Sequence, residues 1–247
     1  MEKNSLGQHF RELKTRLFYC VTFLVVSFCI TYFYSNEIYQ FLLKPLANSF
    51  TDLTNRRMIY TSPGEGFSTF VKVSFYSSLY ICTPFFLMQF YLFLAPGLYK
   101  NEKEITVILL FFIPFLFFLG SLFAYYILLP LTFKFLIGFE FQAPQNSSQI
   151  PIQIETKISE YLDFLKTIFF SFGFAFQLPI LLLFLIKGGF ISIRGLQTKR
   201  RYWIVAIFIL AAILTPPDVV SQISLAIPML LLFEIAILIG KKIKTKT

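Results

Sequence analysis

Two carboxylates stand where lysines are the ordinary occupants. Glu12 lies in "HFRELKTRL" and Glu102 in "FLAPGLYKNEKE", each at the edge of a long apolar run. The chain is basic, with 22 Lys and Arg against 13 Asp and Glu, so an acid at such a boundary carries information. Neighbouring helix axes pack about 8–10 Å apart, close enough for both acids to face one surface pocket. A pair of carboxylates suits a guest with two positive groups, and arginine fits best because its planar fork matches a carboxylate. The plainer reading is that Glu12 pairs with Arg16 one helical turn on, at i, i+4, and Glu102 with Lys103 or solvent. The residues alone leave both readings open.

Other chemistry is thinly represented. Gln177 in "FGFAFQLP" and Glu234 in "LLLFEIAIL" are the strongly polar residues deep in apolar runs. An unpaired amide costs several kcal/mol in hydrocarbon, so Gln177 is expected to face a partner helix. Glu234 either marks a functional acid or snorkels and pairs with Lys241. Asp218 in "TPPD" reads as a turn and cap residue. Cys20, Cys29 and Cys82 all fall inside apolar runs and there is one histidine, so no zinc or haem set exists and no cofactor is expected. No Ser/His/Asp array, phosphate loop or H-E-x-x-H occurs, and an enzyme is not expected.

These groups must be positioned by helices in a membrane. Apolar residues make up 56% of the 247 and charged ones 14%, against about 25% in soluble domains. A bilayer core of about 30 Å asks for about 20 apolar residues per helix. Six spans fit, near 17–36, 73–99, 105–129, 163–186, 202–216 and 219–239, and residues 1–247 form a single all-α membrane domain. The last two spans are short. Tyr202 to Pro217 covers roughly 24 Å at about 1.5 Å per residue, so local thinning or water entry is expected on that flank. Lys and Arg concentrate at the N-terminus, the second and fourth connections and the C-terminus, which sets both termini on the inner side. The basic surplus follows from topology and anionic lipid and does not ask for nucleic acid. The sixteen residues before the first span are polar and mixed in charge, unlike a cleavable signal.

Between the spans, "SNEIYQFLLKPL" reads as a short interfacial helix broken near Pro45. "SPGEGF" places Ser62 as N-cap with Glu65 three residues on, a capping-box pattern. Pro84 and Pro96 in the second span, and Pro114, Gly120 and Pro130 in the third, predict bends.

"HFRELKTRL", "FLAPGLYKNEK", "FGFAFQLP" and "LTPPDVVSQISLAIPMLLLFEI", in this order along nearly the whole chain, resemble TatC, the multispan core of the twin-arginine protein translocase. The resemblance implies a receptor for signal peptides with an adjacent arginine pair, carried by folded cargo. It also implies single-span TatA/TatB-like partners, assembly into a larger complex with further copies, and use of the protonmotive force. It places the arginine-binding carboxylates on Glu12 and Glu102, with Arg16 beside them. Phe93 and Pro96 match the family's F-x-A-P residues, and Pro45 a proline of its first outer loop. The chain departs from the family in three places: Gln177 stands where glutamate is frequent, Lys14 where a second arginine is common, and a glycine loosens the "SPGEGF" helix start. Two other functions are weighed against this one, a small-solute transporter and a structural subunit of a respiratory complex. The Phe- and Ile-heavy composition points to an AT-rich genome, hence the mitochondrial inner membrane, with thylakoid or bacterial plasma membrane as alternatives.

Overall fold

A computed structural model describes residues 3–50, 57–94, 103–140, 154–187, 189–215 and 218–244. The described chain is almost wholly helical. In order come α1 (Lys3–Phe33), α2 (Ser35–Ala47), α3 (Glu65–Leu94), α4 (Lys103–Phe123), a π turn (Ala124–Leu128), α5 (Leu129–Ile137), α6 (Ile158–Ala175), α7 (Leu178–Lys187), α8 (Ile193–Thr198), α9 (Arg200–Leu214) and α10 (Val219–Lys244). Among the described residues, five helical stretches are long and apolar enough to cross a membrane: Phe10–Phe33, Glu65–Phe90, Phe111–Ile137, Ile158–Ile186 and Val219–Lys242. The fifth expected span, α9, has 15 residues, about 22 Å of helix, and falls short of that length as its sequence foretold.

Prolines and small residues decide how these helices differ from plain rods. The expected third span near 105–129 continues to Ile137 through the π turn, because Pro130 has no N–H to give the preceding turn and a widened turn absorbs the loss. The expected fourth span starts earlier, at Ile158, and is interrupted at Phe176–Gln177. Pro179 explains the break, since it removes the donor that the Ala175 carbonyl would use. The chain tightens there, with the Gln177 N–H on the Phe174 carbonyl at 2.9 Å.

Pro45 lies inside α2, which runs on to Ala47. A helix pairs the N–H of residue 45 with the carbonyl of residue 41, and a proline leaves that carbonyl without its donor. The Tyr125 hydroxyl supplies one, donating to the Phe41 oxygen at 2.9 Å while its ring stacks on Phe41 at 4.6 Å. Tyr161 donates to the next carbonyl, Leu42, at 2.6 Å. Two hydroxyls from deeper helices thus pin α2 across the end of the bundle. Tyr125→Phe is expected to cost about 1 kcal/mol of detergent-state stability, and Pro45→Ala in that background should recover part of it by restoring the helical donor. Thermal melts of the single and double variants check both.

Packing is tight where side chains are small. Ser74, Ser78 and Cys82 recur every fourth residue on α3 and face Ser27 and Thr31 on α1, all buried. The Thr31 hydroxyl lies 2.8 Å from the Ser74 carbonyl across that seam. Small residues let helices approach closely in a membrane. Gly120 of α4 and Gly173 of α6 do the same for the central crossing. A Cβ on Gly120 would stand 2.5 Å from the Phe172 carbonyl oxygen, and one on Gly173 would overlap the buried Phe117 ring.

At the end of the bundle where α3 and α6 begin, a clasp joins two loops. Met58–Ile59 pairs in parallel with Thr156–Lys157. Glu65 takes backbone N–H groups from Thr61 at 2.6 Å and Ser62 at 3.3 Å, and the Ser159 hydroxyl of α6 at 2.7 Å. The expected capping box is therefore present in its glutamate half, and the same carboxylate also ties α3 to α6.

Candidate functional site

The opposite end of the α1–α3 seam carries the candidate site. Arg16 is drawn to Glu12 by the i, i+4 spacing of a continuous helix. Its Nε and one terminal nitrogen donate to Glu12 Oε1 at 3.0 and 2.7 Å. The other terminal nitrogen donates to Gln89 Oε1 on α3 at 2.9 Å. The two charged side chains retain 23% and 36% of their exposure, so this is a half-buried guanidinium site at the rim rather than a sealed core pair. Phe93, half-buried on the last turn of α3, lies at i, i+4 from Gln89 and so shares its face. Arg11 and Lys14 point to solvent beside it, which keeps the rim basic. The structure thus brings together Glu12, Arg16, Gln89 and Phe93's helix face. Glu102 and Pro96 lie outside the described residues.

Gln89 was missed by sequence reasoning, which named Gln177 and Glu234 as the strongly polar residues deep in the spans. The signal was available: Gln89 is a lone amide in "FFLMQFYLFL", and the argument that demands a partner for Gln177 demands one here. Gln177 itself meets the expectation, donating its amide N–H to the Ile113 carbonyl of α4 at 2.9 Å. Glu234 pairs with Arg200 at the start of α9, at 3.0 Å, a partner on another helix that its own segment does not announce. The two residues are equidistant in sequence from Pro217, so an antiparallel α9–α10 hairpin sets them level. Trp203 stacks on Phe233 at 5.8 Å in the same layer. Asp218 caps α10, its Oδ1 accepting the Ser221 N–H at 2.7 Å, which is the role its turn position predicts. Pro45 and Glu65 serve the α2 and loop geometry described above. Among the described residues, no group of three or more His, Cys, Asp or Glu could hold a metal.

The sequence profile of the family described as Sec-independent protein translocase protein (TatC) matches residues 8–228. The chain belongs to the TatC family. Among its relatives, the TatC of Rickettsia prowazekii (strain Madrid E) is 41% identical over 245 residues, covering 99% of this chain and 96% of that one. The TatC of Escherichia coli (strain K12) is 36% identical over 233 residues, covering 94% and 86%. A tatC-like protein, ymf16, of Reclinomonas americana is 38% identical over 236 residues, covering 96% and 87%. A crystal structure of the twin arginine translocase receptor TatC in DDM superposes with a TM-score of 0.74 at 34% identity, covering 94% of this chain and 99% of that one. The helical membrane architecture read from hydropathy is therefore that of TatC, and the family is one of translocase components, not of enzymes.

Proposed function

We propose that this TatC-family chain is the receptor and core subunit of a twin-arginine translocase. It binds arginine-pair signal peptides at the rim where α1 begins and passes folded cargo across an energised membrane, drawing on the protonmotive force. The observation that carries this reading is the Glu12 carboxylate, which already receives a forked guanidinium at 2.7–3.0 Å at a half-exposed rim. A peptide arginine would exchange with Arg16 on that carboxylate, with Gln89 holding the displaced side chain and Phe93 flanking the site. Glu102 and Pro96 complete the site in this proposal, on the strength of the family motif. The topology proposed with it has six spans, α9 included, in one domain over residues 1–247, with both termini on the inner side.

Partners follow from the same reading: signal peptides of folded cargo, single-span TatA/TatB-like subunits, surrounding lipid, and further copies of this chain in a larger complex. The chain is a multi-pass membrane protein. The mitochondrial inner membrane is proposed as its location from the Phe- and Ile-rich composition, with thylakoid and bacterial plasma membranes as the alternatives. The test is site-specific photocrosslinking in native membranes from positions 12 and 102 to a signal peptide. Adducts that form with an Arg-Arg peptide and vanish with a Lys-Lys one support the assignment. Equal labelling by both peptides, or none, refutes it.

A further inference from the structure

A second, unrelated feature opens sideways from the bundle. α2, α3, α4 and α6 enclose a groove of about 430 Å³, inside the range of about 300–1,000 Å³ typical of ligand pockets. Its walls are apolar: Tyr80 and Ile81 from α3, Phe118 and Leu122 from α4, Phe169 and Phe170 from α6. A groove opening onto hydrocarbon has lipid as its immediate neighbour. Lys166 at its edge, and the Asp163 paired with it, say which lipid.

Lys166 lines the groove one helical turn above Phe169 and Phe170. Its ammonium sits 2.7 Å from Asp163 Oδ1 and 4.7 Å from the centroid of the Tyr76 ring. The two charged side chains keep 33% and 52% of their exposure, so they remain reachable. From Thr167 to Ile186 the sequence carries no charge, and from Val73 onward α3 carries none to its end. The Lys166–Asp163 pair therefore marks the level where polar surface gives way to apolar. A lone lysine there would suit an anionic headgroup. An adjacent aspartate cancels that preference and repels a phosphate unless the ligand brings its own cation. A headgroup with both charges satisfies both residues. Its cation should also donate hydrogen bonds, because a carboxylate accepts them, and a primary ammonium does this where a quaternary one does not.

We propose that the groove binds one phospholipid with a phosphoethanolamine headgroup. The phosphate lies on Lys166, the ammonium on Asp163, and an acyl chain runs inward along the Tyr80–Phe169 wall. The site is independent of the signal-peptide rim. The experiment uses the full chain in nanodiscs of equal phosphatidylethanolamine, phosphatidylglycerol and phosphatidylcholine, released into native mass spectrometry. One retained phosphatidylethanolamine per chain is expected. Asp163→Asn should lower its preference over the other two lipids by about tenfold, and Lys166→Gln should reduce retention of all three by a similar factor. Ile81→Trp, at a half-exposed position on the groove, should block the acyl chain and abolish retention while the chain stays monodisperse. No retained lipid in the parent chain, retention that ignores the headgroup, or photocrosslinks from position 81 to a protein helix instead of lipid would each overturn the proposal.

Discussion

Glu12→Ala is expected to lower the affinity for an arginine-pair signal peptide by at least about tenfold, the result of removing a charged hydrogen-bond acceptor at about 1.5–3 kcal/mol from a half-exposed rim. Fluorescence anisotropy with a labelled peptide and the chain in nanodiscs measures it. The same carboxylate holds Arg16, and Arg16 reaches Gln89, so a loss of binding has two possible routes. Gln89→Ala separates them. It removes the cross-seam hydrogen bond and leaves the carboxylate, so it should change affinity by no more than about threefold if Glu12 acts as the direct acceptor. Should Gln89→Ala fall as far as Glu12→Ala, Glu12 would be a brace for the α1–α3 seam and not the docking point. Glu102→Ala is expected to match Glu12→Ala in size, since the two acids are proposed to take one arginine each.

A large loss of stability is expected at Gly173. A Cβ at that position would overlap the Phe117 ring, which is fully buried between α4 and α6. Overpacking a well-filled interior costs about 1–3 kcal/mol for the smallest additions, so Gly173→Ala should lower the melting temperature in detergent measurably, and Gly173→Leu should prevent recovery of monodisperse protein. The mechanism makes a reciprocal demand. Phe117→Leu should relieve Gly173→Ala while being destabilising by itself, giving a favourable interaction in a double-mutant cycle. Additive losses would place the damage elsewhere than at this crossing.

Hydropathy made the spans legible because lipid imposes a length and a composition on every crossing helix. Their ends and breaks were less legible. Pro130 and Pro179 each announce a missing donor, but whether the chain widens into a π turn or splits into two helices depends on what packs nearby. At Phe176–Gln177 the side-chain amide is taken by Ile113 of another helix, a relation no local pattern contains. The rim site was half legible. The i, i+4 spacing of Glu12 and Arg16 foretold their ion pair, whereas Gln89 is 73 residues away from Arg16 and reads locally as one polar letter in an apolar run. Arg200 and Glu234 show the opposite lesson: once the tight turn between the last two long helices is read as a hairpin, reflection about Pro217 places them side by side.

The interruption between α6 and α7 bears on how force travels through the wall. α6 packs on α4, whereas α7 packs on α10, so the two halves of one crossing are anchored to different neighbours. The joint is two residues long and sits deep in the layer. A displacement of α10 would reach α7 directly, and the Ala175 carbonyl that Pro179 deprives of its helical donor makes this joint the least braced point of the crossing.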